Sequence, residues 1–376
     1  MKSLVLAEKP SVARDIARVL GCHKNISGAI EGSNYIVTWA LGHLVTLADP
    51  EEYDKKFKAW DMSYLPMVPK KWELVVIKQT SKQYHNVKTQ LFRKDVSEII
   101  IATDAGREGE LVARWILDKS GCHKPIRRLW ISSVTDKAIK EGFAHLKDVR
   151  AYNDLYHAAR SRAEANWLVG INATRALTCK YNAQLSCGRV QTPTLAMIAH
   201  REQQIRSFKP EDYYGLRCTT SVTGGSVGTM ASIVTWTWQQ KKSGSLRSFN
   251  KDLITGLDKK LKNQTLTVTD VHTSSKRTPS PGLYDLTELQ RDANKRFGFS
   301  AKETLNIMQS LYEHHKVLTY PRTDSRYIGT DIVPTIKERL KACNIGPYKK
   351  YIPELLKKPL KTSKAFVDDK KVSDHH

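Results

Sequence analysis

Carboxylates follow directly behind two apolar stretches of the sequence, one near the N-terminus and one near residue 100. Glu8 comes after Leu4–Ala7, and Asp104 comes after Ile99–Ala102. Magnesium takes oxygen ligands from one or two carboxylates and completes its shell with water and substrate phosphates. Because ligands of open α/β sheets bind at the carboxyl ends of strands, these positions predict a magnesium site formed by Glu8 and Asp104.

Other charged residues of the same segments have competing interpretations. Glu108 and Glu110 stand at the start of a predicted helix. One interpretation is that they only complement the helix dipole and bind no metal. We favour that interpretation for Glu110. Lys9 could stabilise charge on a phosphodiester or protonate its leaving oxygen, but taken alone it is more simply a solvated surface lysine.

A second polar cluster, Leu318–Ser325, lies in the last part of the chain. Tyr320 could be a covalent nucleophile, and Arg322 could form paired hydrogen bonds to phosphate oxygens. The phenol has an ordinary pKa of about 10, so its attack on phosphorus needs a nearby cation or base. The spacing alone slightly favours a structural alternative, in which Tyr320 packs at a domain edge and Arg322 pairs with Asp324.

The elements that must position these residues change in kind along the chain. Residues 1–147 alternate short apolar runs with amphipathic helices, which is typical of an α/β sheet. Residues 148–210 are helical and rich in Arg, and residues 211–280 alternate Thr and Val in the manner of a β domain. Residues 281–376 are helical again, and Ser300 with Glu303 forms a capping box. The strands predicted outside the first region are Leu216–Val222, Ile233–Trp238, Leu266–Val271 and Val317–Tyr320.

The charge balance indicates a polyanionic partner. Sixty-one Lys and Arg residues against 38 Asp and Glu leave a net charge of +23. Such an excess attracts phosphate backbones through the release of counterions, and the attraction weakens with salt. A membrane surface, or a basic protein without such a partner, is the alternative.

Several classes of protein are disfavoured. The six cysteines are scattered without a Cys-x-x-Cys pair, which argues against a disulfide framework and a structural zinc site. No apolar run approaches the roughly 20 residues that span a bilayer, and Met1–Lys9 is too short in its apolar part for a signal peptide. No P-loop sequence is present, so we expect no nucleotide cofactor. The sequence predicts a cytoplasmic protein without a membrane partner.

Five motifs taken together resemble those of type IA DNA topoisomerases, in particular the bacterial topoisomerase III group. Each is weak alone, but all five occur in the family's order between residues 6 and 325, which is not expected by chance. The motifs are Leu6–Ser11, Thr103–Glu110, Gly188–Thr194, Asp285–Gly298 and Thr319–Arg322.

The resemblance implies a multidomain α/β plus α plus β protein of toroidal shape. The four regions would be an N-terminal Toprim domain of Rossmann-like fold (1–147), a helical domain that binds single-stranded DNA (148–210), part of a β-rich gate domain (211–280) and a helical domain that carries the catalytic tyrosine (281–376). The chain ends inside Asp374–His376, which resembles the start of a further family motif. We therefore expect it to be C-terminally incomplete and impaired in full turnover.

The resemblance also implies the roles of the site residues. Glu8 and Asp104 match the magnesium ligands, and Lys9 matches the proton donor to the leaving DNA oxygen. Tyr320 matches the nucleophile that becomes linked to a 5′ phosphate, and Arg322 matches the arginine that positions the scissile phosphate. One departure concerns the acidic motif, because Gly106 stands where the family commonly has a second Asp. Either Glu108 compensates, or a single metal rests on Glu8, Asp104, water and DNA phosphate.

Further matches concern contacts to DNA. Trp167 and Arg175 lie on a predicted helix, and an indole beside cations can stack on unpaired bases. Core packing is the alternative for Trp167. Trp60, which follows several lysines, is a weaker candidate of the same kind. The remaining DNA-contact candidates form one loop and are Ser186, Cys187, Gly188, Arg189, Val190 and Gln191.

The function expected from the resemblance is ATP-independent cleavage and religation of single-stranded DNA, with strand passage that relaxes negative supercoils or decatenates DNA. The expected partners are single-stranded and negatively supercoiled DNA, and the expected protein is a monomer associated with the nucleoid. Two alternatives stay open: a Toprim-type magnesium nuclease or primase relative in which Tyr320 is structural, and a non-catalytic single-strand binder.

Overall fold

The computed structural model describes residues 1–131, 134–222, 232–265, 267, 269–270, 272–315, 317–318, 320–359 and 361–372. The chain divides into two compact units, one formed by Met1–Arg189 with Ser280–His376 and the other by Val190–Pro279. These breaks differ from the four family regions expected from the sequence, and the assignment of those regions stays a prediction.

The first unit contains a seven-stranded sheet in its described residues. The strand order is β2-β3-β4-β1-β7-β8-β9, and β1 runs parallel to both of its neighbours. A separate two-stranded ladder joins β5 and β6. The strands of this unit are β1 (Lys2–Ala7), β2 (Lys24–Ile26), β3 (Ala29–Glu31), β4 (Tyr35–Trp39), β5 (Val45–Leu47), β6 (Leu74–Val76), β7 (Val96–Ala102), β8 (Ile126–Arg128) and β9 (Lys147–Asp148).

Apolar residues cover both faces of the two central strands. Leu4 and Ile99 belong to one buried cluster, while Val5 and Ile100 belong to the other. Successive side chains of a strand point to opposite faces, so a continuous apolar run requires packing on both. The α/β sheet that the sequence predicts for residues 1–147 is therefore confirmed.

Helices lie between the strands and continue after the sheet. The first helix begins with Pro10, which suits an N-terminal position because it has no N–H to leave unpaired, and it buries Val12 and Ile16. The helices of the first unit are α1 (Pro10–Val19), α2 (Pro50–Tyr53), α3 (Ser81–Leu91), α4 (Arg107–Ser120), α5 (Asp136–Ala144), α6 (Asn153–Tyr181), α9 (Leu286–Phe297), α10 (Ala301–Glu313), α11 (Ile336–Ala342) and α12 (Ile352–Lys357).

One strand of the sheet differs from its sequence prediction. The apolar run Leu129–Ser132 predicts a strand, whereas β8 covers Ile126–Arg128 and Ser132 lies outside the described residues. The physical reason is that Arg128 is completely buried, although a charged residue is normally expected at the surface. A pattern that counts only apolar residues therefore places the strand too late.

The second unit contains α7 (Gln191–Arg206), α8 (Lys251–Leu261) and an antiparallel pair formed by β10 (Arg217–Val222) and β11 (Ser232–Thr237). The pair matches two of the predicted strands. The predicted strand Leu266–Val271 includes three residues outside the described part of the chain, namely Leu266, Val268 and Val271.

The region that carries Tyr320 is mainly helical, as the sequence predicts. Ser300 and Glu303 form the predicted capping box at the start of α10. Val317, Leu318 and Tyr320 belong to no strand, contrary to the prediction, and Thr319 lies outside the described residues, as does Asp374–His376. None of the described helices is long and apolar enough to cross a membrane.

Candidate active site

The two predicted carboxylates leave the sheet at the same edge. Strands β1 and β7 are parallel neighbours with Ala7 opposite Ala102, so Glu8 and Asp104 both follow the carboxyl ends of these strands. The backbone N–H of Asp104 donates a hydrogen bond of 3.1 Å to Oε2 of Glu8. Register in the sheet therefore brings together two residues that are far apart in the sequence.

Lys9 lies against both carboxylates. Its Nζ is 2.7 Å from Oδ2 of Asp104 and 3.9 Å from Oε1 of Glu8. Burial lowers the pKa of Lys9, but the charges of Asp104 and Glu8 act in the other direction and leave the pKa above its ordinary value. The side chain is thus a charged partner of the acidic pair, and the solvated lysine considered from the sequence is not observed.

Tyr320 reaches the same place from the other end of the chain. The Nζ of Lys9 is 4.0 Å from the centroid of the Tyr320 ring, within the range of a cation–π contact. The ring of Tyr312, on α10, contacts the Tyr320 ring in a T-shaped arrangement with centroids 5.6 Å apart. Burial raises the pKa of Tyr312. One ammonium group therefore touches both the acidic pair and the predicted nucleophile.

Arg322 is exposed two residues after Tyr320. It forms no ion pair with any residue that the structure describes, so the pair with Asp324 considered from the sequence is not observed. An exposed guanidinium can form paired hydrogen bonds to a phosphate group. Its role in positioning phosphate stays a prediction.

The turn that carries Asp104 is held tightly against the start of α4. The hydroxyl of Thr103 donates to the carbonyl of Gly109 over 2.8 Å, and the N–H of Gly106 donates to the carbonyl of Asp104 over 2.9 Å. A Cβ at position 109 would overlap the Asp104 carbonyl oxygen, so only glycine fits there without a shift. Gly106 itself has an extended backbone before the helix.

The two glutamates of the acidic motif have different surroundings. Glu108 is largely exposed, and its carboxylate lies 2.9 Å from Nη1 of Arg162 and 3.8 Å from Nε2 of His43. Glu110 is fully buried and pairs with Arg128 and Arg114. The dipole interpretation of Glu110 is therefore wrong, because burial without a counter-charge would be prohibitive. Arg128 belongs to none of the motifs in the sequence, and its position beside an apolar run was the one available signal.

The residues present fit a magnesium ion at the acidic pair. Among the described residues there is no group of three or more His, Cys, Asp or Glu side chains arranged for a metal. Two carboxylates, with water and phosphate completing the shell, are nevertheless the donor set that magnesium commonly takes. The contact of the Lys9 ammonium with both carboxylates shows that the pair attracts a cation.

The predicted DNA residues of α6 have structural partners. Arg175 is buried, donates to the carbonyls of Phe57 and Ala59, and lies 5.1 Å from the centroid of the Trp60 ring. Trp60, which Arg175 contacts, is half exposed to solvent. The indole of Trp167 donates to the carbonyl of Ala48 over 2.8 Å. It packs in an aromatic cluster, as the core alternative predicts, and its contact with DNA stays a prediction.

The predicted DNA loop is fastened to the last turns of α6. The N–H of Cys187 donates to the hydroxyl of Thr174 over 2.9 Å, and the hydroxyl of Thr178 donates to the carbonyl of Leu185 over 3.1 Å. Arg189 is exposed at the end of the first unit. The loop continues into the second unit through Val190 and Gln191, and α7 begins at Gln191.

An α/β sheet with an acidic pair at its strand ends is the arrangement expected of a Toprim-type domain. Residues 3–134 match the sequence model of the Toprim domain, and residues 150–376 match that of DNA topoisomerase. The chain belongs to the family of type IA DNA topoisomerases.

Two relatives show how far this similarity extends. The chain is 63% identical over 375 residues to DNA topoisomerase 3 of Bacillus cereus and 60% identical over 375 residues to that of Bacillus subtilis (strain 168). In both comparisons all of this chain is covered, but only 50% of the relative. The chain therefore spans about half the length of the curated relatives it matches.

A solved structure agrees in fold. Full-length topoisomerase I from Thermotoga maritima aligns with a TM-score of 0.58 at 23% identity, covering 91% of this chain and 52% of that one. At this identity the comparison supports the fold and leaves the roles of individual residues to the geometry.

Proposed function

We propose that this chain cleaves and rejoins one strand of DNA through a covalent bond to Tyr320. The observation that carries the proposal is the position of Lys9, which contacts the acidic pair of the sheet and the Tyr320 ring together. A phosphate placed beside this ammonium would lie next to the acidic pair and to the Tyr320 ring. The chain would act as part of a protein that relaxes negative supercoils or decatenates DNA.

The proposed reaction balances without an external energy source. The phenol oxygen of Tyr320 attacks phosphorus and releases its proton to solvent water, while the bond between phosphorus and the 3′ oxygen breaks. The 3′ oxygen takes a proton, for which Lys9 is the donor, because an alkoxide is a stronger base than an amine. The phosphotyrosine retains the energy of the broken bond, so the reverse attack rejoins the strand without ATP.

The charged residues of the site would have separate tasks. Lys9 and Arg322 would stabilise the negative charge that spreads over the phosphate oxygens in the transition state. Glu8 and Asp104 would hold magnesium, which supplies further positive charge to the phosphate when it is bound. The pairing of Glu108 with Arg162 and His43 favours a single metal on the first two carboxylates.

Single-stranded DNA is the proposed substrate because an exposed aromatic ring and several cations occur together. Trp60 is half exposed above Arg175, and the loop Ser186–Gln191 adds the exposed Arg189. A net charge of +23 would supply the attraction to the phosphate backbone. We further propose that the protein acts as a monomer in the cytoplasm, associated with the nucleoid.

The test is the capture of a covalent adduct. A single-stranded oligonucleotide labelled at its 3′ end is incubated with the protein and magnesium, and the reaction is stopped with detergent. The label should migrate with the wild-type protein, because the tyrosine keeps the 5′ phosphate of the labelled fragment. Tyr320→Phe should trap none, whereas the control Tyr327→Phe should trap as much as wild type.

Two outcomes would contradict the proposal. Cleavage by Tyr320→Phe without a protein-linked end would indicate a Toprim-type nuclease. Tight binding of the oligonucleotide by the wild-type protein, with no cleavage in magnesium, would indicate a single-strand binder.

A further inference from the structure

Arg128 is a completely buried arginine at the end of β8, next to the acidic turn. Its Nε pairs with Oε1 of Glu110, which is equally inaccessible to solvent. A buried ion pair is a weak source of stability, because removing two charges from water costs about as much as their attraction returns. Stabilisation of the fold therefore does not explain why this pair is buried next to the acidic turn.

The guanidinium binds the peptide carbonyl before Asp104 and the peptide carbonyl of Asp104 itself. Its Nη1 donates to the carbonyl of Thr103 over 2.8 Å, and its Nη2 donates to the carbonyl of Asp104 over 2.8 Å. Nη1 also donates to the carbonyl of Leu129 over 2.6 Å. Only a planar group with several N–H donors can reach these acceptors together, so lysine cannot replace it.

The same pair is connected to the start of α6. The second oxygen of Glu110 lies 3.3 Å from Nε of Arg114, and Arg114 donates to the carbonyl of Val149 and to the side chain of Asn153. Asn153 is the first residue of α6, the helix that precedes the predicted DNA loop, and Val149 lies in the short turn just before it. The buried charges thus join the acidic turn to the base of that helix.

Two stacked aromatic rings lie next to Arg128. The guanidinium lies 4.9 Å from the centroid of the Trp130 ring. The Trp130 ring is stacked on Tyr152, with centroids 4.3 Å apart and planes within 16°. Contact with an aromatic ring restricts the movement of a guanidinium, which helps to keep the donors aimed at the carbonyls.

We propose that Arg128 is a positioning residue for the acidic pair: it fixes the Asp104 turn so that the Asp104 and Glu8 carboxylates face one divalent cation. The proposal deepens the proposed function, on which its catalytic significance rests. Groups that orient metal ligands commonly change metal affinity by about 10-fold to 100-fold when they are replaced. Arg128 would act in that way through the backbone of a ligand residue.

The test separates positioning from stability by removing both buried charges together. Arg128→Met with Glu110→Met removes both charges of the fully buried pair, while Arg114 keeps its hydrogen bonds to Val149 and Asn153. Replacing a buried ion pair by apolar residues is often neutral for stability. Binding of Mn²⁺ alone, without DNA, is measured by electron paramagnetic resonance. We expect the double variant to bind Mn²⁺ about 10-fold more weakly than wild type, with a thermal midpoint close to that of wild type.

Arg128→Lys is the second variant. It keeps the positive charge but loses the planar set of N–H donors, so it should also weaken Mn²⁺ binding. Arg127→Lys, at an exposed neighbour paired with Glu98, is the matched control and should bind like wild type. Mn²⁺ affinity within twofold of wild type in both Arg128 variants would overturn the proposal. Mn²⁺ binding does not involve Tyr320, so a failure of the covalent-adduct test would leave this result intact.

Discussion

The acidic part of the site and the tyrosine part are held in place by different means. Glu8 and Asp104 follow paired parallel strands, and the turn of Asp104 is fixed by Arg128 and by the close approach of Gly109. Tyr320 follows a helix in a segment that belongs to no strand, and the contacts that place its ring include Tyr312 and Lys9. One part depends on the backbone, the other on contacts between side chains.

The difference indicates which part can move. Backbone ladders in a buried sheet open only with the surrounding structure, whereas a few side-chain contacts can separate at modest cost. A reaction that parts the ends of a strand needs a fixed site for one end and a mobile attachment for the other. We therefore expect substitutions in the acidic part to have larger effects than substitutions of the residues that surround Tyr320.

The strongest test of this comparison is Asp104→Asn. The substitution removes the charge that holds Lys9 and one of the two proposed magnesium ligands. We expect adduct formation to become slower by about 100-fold or more, which is the usual loss when a group that stabilises transition-state charge is removed. The rate is measured with a single-stranded oligonucleotide in magnesium.

The control for Asp104→Asn is Asp136→Asn, in which an exposed aspartate paired with Arg18 loses the same charge far from the site. It should react at the wild-type rate. Equal rates for Asp104→Asn and wild type would show that the acidic pair takes no part in the reaction.

The next test concerns the backbone of the acidic part. In Gly109→Ala the new methyl group would press on the Asp104 carbonyl, so the turn must shift. We expect a loss of about 1–3 kcal/mol in the free energy of unfolding, typical of overpacking. Gly256→Ala, on α8, is the matched control because its Cβ would have no neighbour within 4 Å.

Alanine at position 256 should leave stability unchanged or raise it by up to about 1 kcal/mol, since glycine is the poorer helix former. Urea unfolding measures both variants. If Gly109→Ala were as stable as wild type, the turn would be less rigid than the contacts indicate.

The sheet and the place of the carboxylates could be predicted from the sequence, whereas the supporting network could not. Leu4–Ala7 and Ile99–Ala102 are apolar runs that end in carboxylates, and a parallel register brings such ends together. Arg128 was missed and Glu110 was misread because each is a charged residue whose burial depends on a distant counter-charge. Burial of charge depends on a long-range partner, which no local pattern reveals.

The contact between Lys9 and Tyr320 was equally beyond local patterns. Nothing in the spacing of Leu318–Ser325 distinguishes a nucleophile from a packed tyrosine. The cation that contacts the Tyr320 ring comes from the end of the first strand, far away in the sequence. The expectation that Tyr320 is the nucleophile came from the family resemblance, and the structure adds its contact with Lys9. The predicted strand at Val317–Tyr320 failed because short apolar runs do not distinguish strands from irregular segments.

A smaller effect is expected in the tyrosine part. Tyr312→Leu removes the ring that contacts Tyr320, and an aromatic pair of this kind is worth about 0.5–1.5 kcal/mol. Adduct formation should become slower by about fivefold, a change of about 1 kcal/mol. Tyr312→Phe keeps the ring and should be slowed less than Tyr312→Leu.

The same oligonucleotide assay serves for both Tyr312 variants, after a thermal melt has shown that each is folded. A loss in the leucine variant as large as that of Asp104→Asn would break the comparison. The tyrosine part would then be as dependent on its neighbours as the acidic part.

The smallest effect concerns the opposite end of the same sheet, where ion pairs tie β1, β3 and β7 together. Hydrogen bonds from Lys2 and Arg93 lower the pKa of Glu31, and Arg93 lowers the pKa of Asp95 to about 2. Unfolded carboxylates titrate at about 3.9–4.3, so below that range the unfolded chain binds more protons than the folded one. The stabilisation is therefore complete above about pH 4.3 and is lost as the pH falls toward 2.

Glu31→Gln tests whether the stabilisation by Glu31 decreases as the pH falls. Its thermal midpoint should lie below that of wild type at pH 7, and the difference should shrink at pH 3 as the wild-type carboxylate becomes protonated. The control Glu141→Gln, at an exposed glutamate near Lys137, should melt like wild type at both pH values. A difference that is the same at pH 7 and pH 3 would mean that the charge of Glu31 does not stabilise the sheet. The rigidity of the acidic part would then have to come from the apolar faces and from Arg128 alone.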